Sequence, residues 1–188
     1  IPTTTVAVTR GADLLTRALT GPEGTALSTQ GTMVVEFSFL GGGSGSDANG
    51  RGVASIDSNS TSERHMIYNR AGVVGTLHTD GGSDVAAFQF GSAASTGTVV
   101  RYAMTWALNS INNARDGVAG TRDTGCTMPT VDRVFIGTQT GGAAELFGLI
   151  YGWTIYDDAK TDAELQALTT PTTNRNQSRL TLGLGLGL

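Results

Sequence analysis

The chain has 188 residues, 39% of them hydrophobic and only 15% charged, with 27 glycines and a formal net charge of −4. That length suits one domain, and the recurring Val, Ile, Leu and Phe clusters supply a core, so wholesale disorder is excluded. The negative balance, with Lys160 the sole lysine and the arginines scattered, argues against nucleic acid and against an anionic membrane surface.

No apolar run approaches the roughly 20 residues needed to span a bilayer as a helix. Cys126 is the single cysteine, which rules out an internal disulfide framework and leaves the compartment open. The sequence starts at Ile1 without Met, as a processed product or a piece of a longer polypeptide would.

Taken in chain order, Thr3 to Val8 is β-branched and expected to be extended. Thr32 to Phe39 alternates Met33, Val35, Phe37 and Phe39 with Thr32, Val34, Glu36 and Ser38, the period-2 pattern of a half-buried strand. Gly41 to Gly50 is too rich in glycine for regular structure and reads as a loop. Val53 to Ile56, His65 to Asn69, Val73 to His78 and Val85 to Phe90 read as four more strands, punctuated by Gly72, Asp80-Gly81-Gly82 and Gly91. Val99 to Leu108 is a long strand, and the polar stretch after it, to Pro129, reads as a loop. Val131 to Gly137 and Leu146 to Tyr156 complete the strands. Many short strands joined by turn residues predict one all-β sandwich over residues 1–170.

Thr161-Asp162-Ala163-Glu164 has the spacing of a capping box, and Leu165, Leu168 and Pro171 complete a short helix signal. Residues 171–188 form a separate tail. In it Leu180, Leu182, Leu184, Leu186 and Leu188 alternate with Thr181, Gly183, Gly185 and Gly187. As a strand this segment presents one all-leucine face. It is expected either to close its own sandwich or to pair with another chain, and the second option makes the protein a homo-oligomer.

Several segments carry a resemblance. Phe147-Gly148-Leu149-Ile150, then Ile155 to Leu165, resembles the closing strand and capped helix of concanavalin A-like (laminin-G-like) jelly rolls. Pro129 to Gly137 resembles the penultimate strand of that family, and Arg101 to Trp106 its central one. Thr9 to Leu15 and Gly31 to Glu36 resemble the opening found in bacteriophage virion and tail proteins. The resemblance covers residues 9 to 168. It departs at Lys160, where the family carries an apolar residue, and at the Leu/Gly tail. It implies a two-sheet antiparallel jelly-roll sandwich with one short C-terminal helix, carbohydrate binding in many members and calcium in some.

Catalytic constellations are missing from the pattern. The five glutamates, Glu23, Glu36, Glu63, Glu145 and Glu164, are far apart in sequence, so no strand carries the carboxylate pair of a retaining glycosidase. There is no Gly-x-Ser-x-Gly elbow and no Walker loop. His65 and His78 are read as sheet histidines, and with one cysteine they do not make a zinc site.

For a ligand, Tyr68-Asn69-Arg70 and Asn112, Asn113 and Arg115 combine ring, amide and guanidinium groups of the kind that hold sugars. No cofactor is required. Calcium is the one the sequence leaves open, through Asp47 with Asn49, Asp80 with Asp84, and Asp116 with Asp123, residues that equally form turns. Trp106, Trp153, Tyr102, Tyr151 and Tyr156 are further aromatic candidates, the two tryptophans read as core.

The reading is a non-enzymatic, lectin-like module on a virion surface, contacting a host glycan or a neighbouring virion protein. A purely structural virion protein assembling through its C-terminal strand is the alternative, and a polysaccharide depolymerase the third.

Overall fold

The computed structural model describes residues 15–40, 50–139 and 144–171. Thr3 to Val8, the Gly41 to Asn49 stretch and the Leu/Gly tail lie outside the described residues.

Two antiparallel sheets face each other. The six-stranded sheet runs β1 (Leu15–Ala18), β10 (Arg133–Ile136), β3 (Arg51–Asp57), β4 (Arg64–Arg70), β5 (Val73–Asp80) and β6 (Ser83–Phe90). The five-stranded sheet runs β11 (Gly148–Tyr156), β2 (Gln30–Phe39), β7 (Val99–Ala107), β8 (Ser110–Arg115) and β9 (Val118–Ala119). Strands distant in sequence are neighbours in both sheets, and the architecture is the jelly-roll sandwich that the strand pattern and the resemblance imply.

The alternation in β2 decides which face is buried. Met33, Val35 and Phe37 enter the common core with Val100, Tyr102, Met104 and Trp106 of β7 and Ile56, Ile67 and Val74 of the opposite sheet. The polar face of β2 is used as well. Thr32 Oγ1 donates to Asp158 O and accepts from Lys160 N, which pins the chain just before the second helix.

Met66, Tyr68 and Leu77, on the alternate positions of β4 and β5, form a separate buried cluster on the other face of their sheet. Thr138 and Gln139 lie so close to β3 that a Cβ on Gly52 would come within 2.5 Å of Thr138 O and Gln139 N. Backbone packs on backbone there, and only glycine fits.

Three elements depart from the sequence reading. The stretch after Leu108 is not a loop throughout: β8 pairs with β7 from Tyr102↔Arg115 to Ala107↔Ser110. Its asparagines and arginine hide the strand from a hydropathy reading, because the burial they meet is polar. A six-residue helix, α1 (Pro22–Leu27), sits where no element was expected, with Pro22 in its first turn. Strand β1, four exposed residues paired to β10, is held by backbone hydrogen bonds and has no apolar alternation to reveal it.

Helix α2 (Asp162–Thr169) forms as expected, with Thr161 and Glu164 in a reciprocal capping box. Leu165 buries against Ala103 and Ala114 on the outside of the five-stranded sheet. Lys160 is accommodated by pairing with Asp158 at 2.7 Å and lying 4.9 Å over the Tyr156 ring.

Candidate functional site

Strand registers place the sequence candidates at known ends of the sandwich. Arg51 is opposite Asn69, Asn69 opposite Val74, and Val74 opposite Phe90. Arg115 Nη1 donates to Phe90 O and, at 2.8 Å, to Ser92 O. Tyr68, Asn69, Arg70 and Arg115 are therefore gathered at one end, the rim made by the β4–β5 turn, the segment after β6 and the segment before β11.

These residues are not equally available. The Tyr68 ring is buried and lies across Gly75, whose added Cβ would fall 2.6 Å from Tyr68 Cζ, and its hydroxyl points to Phe88 O at 3.4 Å. It supports the turn instead of offering a face. Asn69 Oδ1 accepts from Gly72 N at 2.8 Å and so sets the tight β4–β5 turn, in which Ala71 and Gly72 both have positive φ. Arg70 is exposed at the end of β4.

Asn112 and Asn113 are buried and separated from the rim. Asn112 Nδ2 donates to Asp162 at 2.7 Å and ties β8 to α2, where Arg122 also pairs with Asp162. Asn113 lies between the sheets, with Nδ2 3.4 Å from Thr76 Oγ1 and the backbone of Gly120 donating to its carbonyl.

Asp80 and Asp84 belong to the opposite end, beside the β5–β6 turn. Asp84 accepts from Thr79 Oγ1 at 3.1 Å. Burial pulls the Arg64 guanidinium down from its ordinary value, and the charges of Asp84 and Asp57 oppose that, so Asp84 already serves a buried cation. Asp123 caps a local turn through Gly125 N, and Asp116 accepts from Arg101 N on β7 and pairs with Arg115. Among the described residues no three His, Cys, Asp or Glu side chains converge as a metal site would require. Asp47 and Asn49 lie outside the described residues.

The rim contains groups that hydropathy reading passed over. Among the described cations, Arg17, Arg101, Arg115, Arg122, Arg133 and Lys160 each pair with a carboxylate. Arg51, Arg64 and Arg70 have no such pair among the described residues; Arg64 is buried and donates to Thr79 and Gln139, which leaves Arg51 and Arg70 at the rim. The nearest acceptor of Arg51 is the Glu145 backbone oxygen at 3.5 Å.

The segment carrying Glu145 bridges the two sheets, from Gly52 on β3 to Leu40 after β2, whose N–H donates to Phe147 O. It presents Phe147, 61% exposed, and leads into β11, where Tyr151 is 53% exposed and its hydroxyl is 3.1 Å from Ser38 Oγ. Arg51 and Arg70, without carboxylate partners among the described residues, and the open ring of Phe147 therefore lie at this rim, whereas Tyr151 stands on the outer face of the five-stranded sheet beside Ser38. Tyr151 was an aromatic candidate from sequence; Phe147 was visible only as part of a strand signal.

The remaining titratable groups are interior. His65 and His78, opposite one another on β4 and β5, meet Nδ1 to Nδ1 at 2.6 Å, and His65 stacks on Trp106 at 4.7 Å. Neither Nε2 has a partner. Burial, with the His78 charge as a further cause, holds His65 well below the ordinary imidazole value, and burial lowers His78 to about 3. Both rings are neutral near pH 7, and neither reaches the surface.

No protein-family model matches the sequence, and no curated protein matches it either. Solved structures do match in fold. The CBM40 of the Ruminococcus gnavus IT-sialidase, solved with α2,3-sialyllactose, is 18% identical with a TM-score of 0.61, covering 84% of this chain and 98% of that one. A heptameric SAP-like pentraxin from Limulus polyphemus is 15% identical with a TM-score of 0.58, over 76% of this chain and 70% of that one. Mouse laminin α1 domains LG4-5 are 9% identical with a TM-score of 0.59, over 79% of this chain and 40% of that one.

The fold is thus a jelly roll of the concanavalin A and laminin-G kind. The neighbours include a carbohydrate-binding module captured with its sugar.

Proposed function

We propose that this chain is a non-enzymatic, lectin-like module that binds an acidic glycan at the rim that carries Arg51, Arg70 and Phe147. The observation that carries the reading is the pair of arginines without carboxylate partners among the described residues at the rim that carries the exposed ring of Phe147. An aromatic face stacks on the C–H face of a sugar, and a guanidinium forks onto a carboxylate or sulfate. A chain of net charge −4 with two cations at one end that have no carboxylate partner among the described residues offers a local site for an anion. The carbohydrate-binding neighbour supports the reading at the level of fold.

Hydrolysis is disfavoured by how the glutamates are used. Glu36 holds Arg101, Glu23 holds Arg17, Glu164 caps α2, and Glu63 accepts from Gly81 N and Thr130 N. Each is engaged with a different part of the scaffold, whereas a glycosidase needs two carboxyl groups facing one bond about 5–10 Å apart.

The virion setting belongs to the same proposal and draws on the resemblance of the opening and closing segments to phage virion proteins. Display in many copies would raise the avidity of a weak sugar site by roughly 10²–10⁴.

A glycan array with sialylated, sulfated and neutral glycans, followed by calorimetry of the full chain, tests the site. Binding of acidic glycans that weakens with salt and falls at least tenfold in Arg70→Ala supports it. An array blank for acidic glycans, or binding unchanged in Arg51→Ala/Arg70→Ala, overturns it. Immunogold labelling of phage particles tests the setting.

A further inference from the structure

Apolar side chains recur at alternate positions from Phe147 to Tyr151, and the register with β2 settles which way they face. Leu149 is opposite Ser38, and Ile150 is opposite Phe37. Ile150 packs on the common core with Phe37, so Leu149 shares the outer face of the five-stranded sheet with Ser38. Leu40 and Phe147, joined by the bond from Leu40 N to Phe147 O, continue that face to the rim. All of these side chains are open: Leu40 is 48% exposed, Phe147 61%, Leu149 49% and Tyr151 53%.

A β-bulge brings Tyr151 onto this face. Ile150 is opposite Phe37 and Gly152 opposite Glu36, which leaves Tyr151 as the extra residue. Its hydroxyl lies 3.1 Å from Ser38 Oγ, so the ring leans toward β2. A Cβ on Gly152 would meet nothing within 4 Å, and the surface next to the ring is bare. Polar groups border the row: the Ser38 and Tyr151 hydroxyls, and the Glu36–Arg101 pair at 2.9 Å, each of its side chains 25% exposed.

We infer that the ligand is a linear acidic oligosaccharide longer than a disaccharide, whose chain runs from the rim down the outer face of β11 over Phe147, Leu149 and Tyr151. Such a path starts from the rim site proposed above and rests on it: Arg51 and Arg70 take the acidic unit, and the Phe147 ring begins the row. A sugar chain presents C–H faces bordered by hydroxyls, and this row offers apolar side chains bordered by hydroxyls and an ion pair. A purely apolar partner would strip water from the Glu36–Arg101 pair and give nothing in exchange. Four strand residues span about 13 Å, so a ligand touching Phe147 and Tyr151 together covers roughly three sugar rings, each about as wide as the side chain beneath it.

Calorimetry of the full chain with the disaccharide, tetrasaccharide and hexasaccharide of two ladders, linear oligosialic acid and heparin, tests the path. Tyr151→Ala, Gly152→Gln and Arg70→Ala are measured beside the wild type, with circular dichroism and light scattering on each. Gly152→Gln fills the bare surface, and the open space at its Cβ lets the fold accept it. In at least one ladder the tetrasaccharide is expected to bind at least tenfold tighter than the disaccharide. Tyr151→Ala and Gly152→Gln should lose that gain and keep disaccharide binding, whereas Arg70→Ala should weaken every length. The path is overturned, and the rim site kept, if affinity is independent of length while Arg70→Ala still weakens it, or if the gain survives both β11 variants. It is also overturned if the wild type is a dimer that Tyr151→Ala dissociates, the row then being a contact between copies. No binding in either ladder removes the rim site and the path together.

Discussion

Acidifying the protein from pH 7.5 to 4.5 is expected to remove several kcal/mol of its stability through two interior imidazoles. His65 and His78 are fully buried, share one proton between their Nδ1 atoms at 2.6 Å, and leave both Nε2 atoms unpartnered. Charging either ring places a cation in the core beside Trp106 and against its partner histidine, and no carboxylate compensates. Both folded-state values are depressed, so below the ordinary value the unfolded chain takes up protons that the folded chain refuses. Stability is therefore complete above about pH 6.5 and falls as the pH drops, by about 1.4 kcal/mol per unit for each histidine.

At pH 4.5 His78 alone costs about 2.7 kcal/mol and His65 adds to it in the same direction, set against a total of about 5–15 kcal/mol for an ordinary domain. For His78 the loss continues until about pH 3. The assay is urea unfolding at half-unit pH intervals, of the wild type and of His78→Gln. The amide of Gln can still meet His65 Nδ1, and the surface carboxylates are common to both proteins. The slope between pH 6 and 4.5 is expected to be shallower in the variant by about 1.4 kcal/mol per unit, the share of His78. Equal slopes would refute the reasoning, because the acid sensitivity would then belong to groups other than this pair.

Gly52→Ala is expected to destabilise by about 3 kcal/mol, since the new methyl meets the Thr138–Gln139 backbone and no flexible side chain can yield; thermal unfolding measures it. Trp106→Phe keeps much of the ring but loses the 2.9 Å bond from Nε1 to Leu27 O, which leaves that buried carbonyl unpaired. A cost of about 1–3 kcal/mol is expected, with faster exchange over α1. Thr161→Ala removes the hydroxyl that accepts from Glu164 N, and α2 should lose about 1 kcal/mol, visible as faster exchange in residues 162–169.

What the sequence determined by itself is the material that repeats locally. Alternation in Thr32 to Phe39 selects the buried face of β2 because successive side chains of a strand point to opposite sides. The Thr161–Glu164 spacing specifies α2 because one turn of helix brings both groups to the same orphan amides. Glycines and asparagines mark the turns because they tolerate positive φ, as at Asn59, Gly72 and Gly82. The resemblance in the last strand and helix added the order of the sandwich.

Only the tertiary structure decided which polar residues are free. Asn112 and Asn113 look like ligand groups in a polar stretch, yet β8 carries them under α2 and between the sheets, where Asp162 and Thr76 engage them. Tyr68 and Phe147 show the same inversion. The tyrosine is sealed over Gly75, and the phenylalanine stands open because its segment bridges the two sheets at the rim. Arg51 and Arg70 are no different in sequence from the arginines that find carboxylates. Their distinction lies in which strands end beside them, and strand order is set by contacts between residues far apart in the chain, where no local period reaches.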